Sequence, residues 1–187
     1  MSLSSNTTGI IDTALGTQAL SSNTIGGWNT AIGRWALIAN TTGSYNTALG
    51  ADALYSNTTS TNNTAIGIVT LFNNTTGIQN TALGSNSLYN NTTGNNNVSI
   101  GFHAGYTTNS ANANTTGSNN TFLGYESGPG TATQLQNATA IGSNSVVDES
   151  NALVLGSING VNGATSGTNV GIGTASPSST LDVVGTV

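Results

Sequence analysis

The sequence predicts an all-β repeat fold, a β-solenoid of about ten 17-residue coils. Three observations predict it. A five-residue block recurs every 17 residues, the stretches between turn-forming residues are short, and two apolar residues stand side by side in most copies of the block.

The block Asp12-Thr13-Ala14-Leu15-Gly16 returns as Asn29–Gly33, Asn46–Gly50, Asn63–Gly67, Asn80–Gly84 and, loosely, Asn97–Gly101. Its glycines are Gly16, Gly33, Gly50, Gly67, Gly84 and Gly101, followed by Gly124, Gly142, Gly156 and Gly173 at intervals of 23, 18, 14 and 17. A second block, Asn-Thr-Thr-Gly or a close variant, keeps the same step from Asn6 through Asn23, Asn40, Asn57 and Asn74 to Asn91. Between the blocks lies a small-large pair: Ala19-Leu20, Ala36-Leu37, Ala53-Leu54, Thr70-Leu71 and Ser87-Leu88. The interval of 23 places about six extra residues within His103–Asn114, read as a loop bulging from one coil.

Seventeen residues are too few for a helix pair, since helical repeats run ~33–47 residues. Asn, Gly, Thr and Ser interrupt segments of four to six residues, and they are turn formers. Each coil therefore reads as strand, turn, strand, turn. Coils stacked at ~4.8 Å make ten of them a rod of roughly 45–50 Å. The block glycine is expected to end the first strand, where a Cβ would clash or φ must be positive.

Strand neighbours point to opposite faces. The adjacent pairs at Ala31-Ile32 and Ala48-Leu49 thus make both faces of the block strand apolar. Small Ala suits a narrow interior. The larger residues, Leu15, Ile32, Leu49, Ile66, Leu83, Ile100, Leu123 and Ile141, form a stripe along the rod. Burying each contributes ~1.5–3 kcal/mol, and a stripe of that length exposed on a monomer is untenable. Self-association about an axis parallel to the rod is the expected solution. Residue order does not decide which member of the pair faces that axis.

Charged residues make up 4% of the chain, against about 25% in ordinary domains. With Arg34 the sole basic residue and a net charge of −5, nucleic acid is not an expected partner. Nor is an anionic membrane surface, and no apolar run approaches the ~20 residues of a spanning helix. Met1–Ser5 lacks the charged and apolar regions of a signal peptide. The strict period and 35% hydrophobic content argue against disorder.

The run Asn-Thr-Ala-Ile-Gly-x-x-Ala-Leu resembles the head repeats of trimeric autotransporter adhesins, from Asp12 to about Gly142. That resemblance implies a left-handed parallel β-roll in a homotrimer. The C-terminal run Asn169-Val170-Gly171-Ile172-Gly173-Thr174, with Pro177, Leu181-Asp182-Val183 and Gly185, resembles the stretch preceding the intramolecular chaperone of phage tail fibres and related bacterial surface proteins. Asn151–Ser157 with Ile158-Asn159-Gly160 is similar to the run-up in such proteins. The implied organisation is regular β-roll repeats over 1–142, with a loop insertion near 103–114. Irregular C-terminal coils and a fibre-to-chaperone transition follow over 143–187. The implied setting is extracellular, on a bacterial surface or a virion tail.

No catalytic constellation is expected, because a hydroxyl nucleophile needs an activating base and His103 is the sole histidine. No cofactor or metal is expected either. Asp148-Glu149 reads as a solvated turn rather than a calcium site. His103 reads as a loop histidine, the alternative being a pH-sensitive or metal role where three copies meet. Asn-x-Thr/Ser triplets at Asn6, Asn40, Asn57, Asn74, Asn91 and Asn114 read as a stacking ladder in preference to glycosylation sites. Tyr55, Phe72, Tyr89 and Tyr106 form an aromatic row for packing, with sugar binding as its alternative use.

The expected function is a non-enzymatic shaft or adhesin segment. Its partners are further copies of itself, with end-to-end contact and a cell-surface glycan or protein receptor as further candidates. His103, Tyr106, Asn109 and Asn112 are the candidate receptor-contact loop. Ice binding through Thr and Asn arrays, or a glycan-binding tail-spike module, are the alternatives.

Overall fold

A computed structural model describes residues 1–184. Thirteen strands of two or three residues occur there, with one short 3-10 helix, Ser110–Asn112. Nine of the strands form one parallel sheet: β1 (Thr13–Leu15), β2 (Thr30–Ile32), β3 (Thr47–Leu49), β4 (Thr64–Ile66), β5 (Thr81–Leu83), β6 (Val98–Ile100), β7 (Thr121–Leu123), β9 (Thr139–Ile141) and β11 (Leu153–Leu155). Each strand pairs with its equivalent in the next coil, so Thr47 faces Thr64, Ala48 faces Ala65 and Leu49 faces Ile66. The chain is therefore a β-solenoid with about eight turns between nine rungs, a stack of roughly 38 Å at ~4.8 Å per rung.

The expected tenth coil is not in this stack. The strand β12 (Val170–Ile172), which leads into Gly173, pairs instead with β13 (Leu181–Val183). The two halves of the C-terminal run thus bond to each other, Val170 N–H donating to the Thr180 carbonyl at 2.8 Å. Gly185 of that run lies outside the described residues. The main sheet also continues past residue 142, through β11.

A second strand in every coil is likewise corrected. After the block glycine the chain runs through tight turns, and only β8 (Gly128–Pro129) and β10 (Val146–Val147) pair on that side. The cause is backbone conformation. Leu37, Leu54 and Leu71 have φ of 52°, 51° and 50°, so neighbouring side chains no longer alternate. Both members of Ala36-Leu37 and of Ala53-Leu54 point inward and are fully buried. Left-handed backbone costs a non-glycine residue roughly 1–2 kcal/mol, and burying leucine contributes ~1.5–3 kcal/mol in return. The turns still bond coil to coil: Leu37 N–H donates to Ala53 O and Leu54 N–H to Thr70 O, each at 3.0 Å.

The interior has an apolar half and a polar half. The apolar half is the Ala row of the sheet (Ala31, Ala48, Ala65, Ala82) against the leucine row. Phe122 interrupts the Ala row yet is fully buried. It fits because Gly105 stands where the neighbouring coil has Leu88; a Cβ there would sit 2.7 Å from Leu88 Cδ2 and 3.4 Å from Phe122 Cδ2. Phe122 fills the volume that a leucine at 105 would have taken.

The polar half is two asparagine ladders. In one, Asn40 Nδ2 donates to Asn23 Oδ1 and Asn57 Nδ2 to Asn40 Oδ1, both at 2.9 Å. In the other, the block asparagines from Asn29 to Asn97 each donate their backbone N–H and Nδ2 to the Oδ1 one coil earlier, as Asn46 does to Asn29 at 3.1 and 3.2 Å. Buried amides satisfied on every side stabilise the stack, whereas unpaired ones would cost about 1–3 kcal/mol each. The ladder reading of these asparagines is borne out. Asn40, Asn57, Asn74, Asn91 and Asn114 are 0–1% exposed and shielded from modification in the folded chain.

One interior hydroxyl breaks this accounting. Ser99 occupies the Ala row, and its Oγ is buried with no partner. Ser99→Ala is expected to stabilise the chain by about 1 kcal/mol, raising Tm by about 2–4 °C. A thermal scan with a lowered midpoint would contradict this.

Candidate functional site

The residues flanking each interior alanine point outward. Along the nine-strand sheet they form two parallel rows. One is mostly threonine, from Thr13 to Thr139 with Val98 in the sixth rung and Leu153 in the ninth, and the other is leucine or isoleucine throughout. The aliphatic row is open to solvent in the single chain: Leu15 is 66% exposed, Leu49 42%, Leu83 43%, Ile100 41% and Leu155 46%. Alanine, not leucine, faces the coil interior, which residue order had left open. Side-chain volume decides it, since the leucine row of the turns already fills the space opposite the sheet.

Charge is sparse on this molecule. Arg34 pairs with Asp52 at 3.1 Å and lies 4.3 Å over the Trp35 ring. Asp148 and Glu149 are exposed, and no group of three His, Asp or Glu residues assembles among the described residues. Asp182 is held below the usual carboxylate range because the Ser178 backbone N–H and hydroxyl donate to it. The Tyr125 phenol is pushed up by its neighbour Glu126, through hydrogen bonding and then charge.

The aromatic residues stack as a row. Tyr55 lies 4.7 Å from Phe72 and Phe72 lies 5.3 Å from Tyr89, each pair within 12° of parallel, and Trp35 abuts Tyr55 edge-on at 6.2 Å. Trp28 belongs to another face, where it stacks on Tyr45 at 5.1 Å. Tyr106 does not continue the row. It turns edge-on to His103 at 5.1 Å.

The inserted residues lie between Gly105 and Asn114, where the Asn114 N–H closes the coil on Gly105 O at 2.9 Å. That bond takes the place of Asn91 N–H to Leu88 O in the preceding coil. The four candidate contact residues separate into two pairs. Asn109 caps the short helix by accepting from Ala111 N–H, and Asn112 Nδ2 donates to Gly130 O at 2.6 Å. Those two support the loop. His103 and Tyr106 instead line a cleft together with Asn86 and Tyr89 of the previous coil. His103 is not on the loop: it occupies a regular turn position with φ of 55°. Its ring lies flat on Phe102 at 4.0 Å, and its Nδ1 is 4.0 Å from Glu126 Oε1.

Sequence reading missed Asn86 as a cleft residue, and it missed Asn162. The Asn162 Oδ1 accepts from Thr108 N–H at 2.7 Å and its Nδ2 donates to Glu126 O, tying the insertion to a distant turn. A contact 54 residues apart leaves no periodic trace. The period did place Asn86 one coil before His103.

No protein-family model matches this chain, and no curated protein or solved structure does so.

Proposed function

We propose that this chain is a non-enzymatic shaft segment of a fibre that associates as a homotrimer through the aliphatic row of its sheet, for attachment or display on a phage tail or bacterial surface. The observation that carries the reading is that row: leucines and isoleucines in register over nine rungs, with exposures of 36–66% at Leu15, Leu49, Leu83, Ile100, Ile141 and Leu155. Neither the aliphatic row nor the threonine row beside it carries a charge, so nothing opposes the approach of an identical face. Association about an axis along the rod would bury the whole row at once, at ~25 cal/mol per Å2. A trimer in place of another number, and the extracellular setting, rest on the resemblance to adhesin heads and tail-fibre proteins.

Light scattering on the purified chain tests it. The expected mass is three times the 18.6 kDa of one chain. Replacing Leu49 and Leu83 together with lysine is expected to give monomers with unchanged circular dichroism, because both side chains lie outside the coil. A monomeric parent chain, or a lysine variant that still forms trimers, would sink the reading.

One observation favours a second reading. Thr30, Thr47, Thr64 and Thr81 stand outward in register beside the aliphatic row, and an unassociated face of regular hydroxyls and methyl groups would suit ice. Thermal hysteresis in a monomeric preparation would support that use. The same face cannot serve both roles in one assembly.

A further inference from the structure

We infer that the cleft between Tyr89 and Tyr106 binds one ring of a neutral hexopyranose. The assignment names a partner for the attachment part of the fibre reading and rests on that reading for the source of the sugar.

The argument starts from the broken aromatic row. Phe72 covers one face of Tyr89. The next coil would supply Tyr106 to the other face, but the insertion begins directly after that residue and Tyr106 has turned toward His103. The uncovered face of Tyr89 therefore borders the cleft shared with Asn86, His103 and Tyr106. A rung is missing from a stack whose neighbouring members sit 4.7–5.3 Å apart.

The walls are held in place. His103 lies flat on Phe102, and Phe102 stacks on Tyr125 at 5.6 Å. The Asn86 Oδ1 accepts from Ser85 Oγ at 2.8 Å, which leaves Asn86 Nδ2 to donate. His103 Nε2 and the two phenols add polar groups around the aromatic faces. An aromatic face bordered by a few donors and acceptors matches a pyranose, whose C–H face is apolar and whose hydroxyls lie at its edge. The cleft is small, about 90 Å3 and open on one side, well below the ~300–1,000 Å3 of drug-sized sites, so it seats one ring rather than a chain.

Charge selects a neutral sugar. Arg34 is engaged with Trp35 and Asp52, and the charged group nearest His103 is Glu126. No lysine or arginine lines the cleft to pair with an anionic sugar, and the Glu126 carboxylate stands 4.0 Å from His103 Nδ1.

Saturation-transfer NMR with the methyl glycosides of glucose, galactose and mannose, and with N-acetylneuraminic acid for comparison, tests the site. At least one hexoside is expected to bind saturably with a Kd on the order of millimolar, as suits about a dozen heavy atoms. Tyr89→Ala is expected to weaken it about tenfold, the contribution of one stacking contact. Tyr55→Ala, enclosed between Trp35 and Phe72, is expected to leave binding within about twofold. If Tyr89→Ala melts early, Asn86→Ala replaces it, with an expected loss of about threefold for one hydrogen bond. No saturable hexoside binding, equal binding of the acidic sugar, or binding indifferent to both cleft variants would overturn the assignment. Light scattering on the same samples separates the two ideas. A trimer without hexoside binding removes the cleft alone, and a monomer that binds removes the association alone.

Discussion

Gly50→Val is expected to break the coil stack between the third and fourth rungs and to cost ~4 kcal/mol or more, the range reserved for severe lesions. Gly50 ends β3 with φ of 141°, a conformation that L side chains rarely adopt. A Cβ built there would lie 2.3 Å from Gly67 O and 2.6 Å from Gly67 C. Those are backbone atoms of the next coil. They cannot retreat, because Gly67 N–H is bonded to Leu49 O at 2.8 Å. Each coil of a solenoid is stabilised mainly by its neighbours, so the unfolding curve should divide into two transitions as well as shift. Gly160→Ala supplies the comparison. Gly160 has φ of 79° but nothing within 4 Å of the added carbon, so only the backbone term of about 1 kcal/mol remains. Circular dichroism melts of both variants are decisive. If Gly50→Val unfolds like Gly160→Ala, close coil-to-coil contact is not what the block glycine provides.

Asn63→Asp carries the second large effect. The Asn63 side chain is fully buried. Its Nδ2 donates to Gly77 O at 2.9 Å and to Asn46 Oδ1 at 3.3 Å, and its Oδ1 accepts the Asn80 backbone N–H at 2.9 Å. Aspartate keeps the acceptor but sets a second oxygen against the Gly77 and Asn46 carbonyl oxygens, with the Ser60 hydroxyl 3.0 Å away the one group there able to donate, in an interior with no cation. A loss of ~3–5 kcal/mol near neutral pH follows. Burial would raise the new carboxyl's folded pKa above its unfolded value. Stability is then recovered in acid, where the group is protonated in both states, and is lost as pH rises past the unfolded pKa. Urea midpoints against pH should show this slope in the variant and not in the parent chain; parallel curves would refute it. Asp12 occupies the same ladder and shows why the position matters. It only accepts, from Asn29 N–H at 2.8 Å, Asn29 Nδ2 at 3.2 Å and Asn23 Nδ2 at 3.2 Å. A carboxylate suits a rung that donates nothing.

Much of the candidate surface was legible in advance. Thr, Ala and Leu in consecutive positions put Ala on one face of the strand and Thr and Leu on the other, whatever the rest of the coil does, and leave open which face is inward. The aromatic row was legible as a row, yet its gap was not. Residue spacing showed six extra residues but not that Tyr106 would rotate onto His103, which depends on Phe102 holding the imidazole flat. Asn109 and Asn112 attracted notice as loop amides, and their side chains turn out to be spent on backbone groups, Asn109 within the loop and Asn112 on Gly130 O of the next coil. Gly173 kept the period while leaving the stack. Its strand β12 found a nearer partner in β13, and a period cannot record which of two available edges a strand will choose.

The sequence by itself determined the period, the register and the chemistry of each row, because identical residues at a constant step become neighbours in any stacked coil. Tertiary structure alone decided how the rows are arranged around the coil. Leu54 packs inside although it follows inward-facing Ala53, and Leu49 lies outside although it follows inward-facing Ala48. The difference is φ: Leu54 is left-handed at 51° and Leu49 is extended within β3. Packing against the neighbouring coils selects that backbone state, and single-residue chemistry would not have chosen it for leucine.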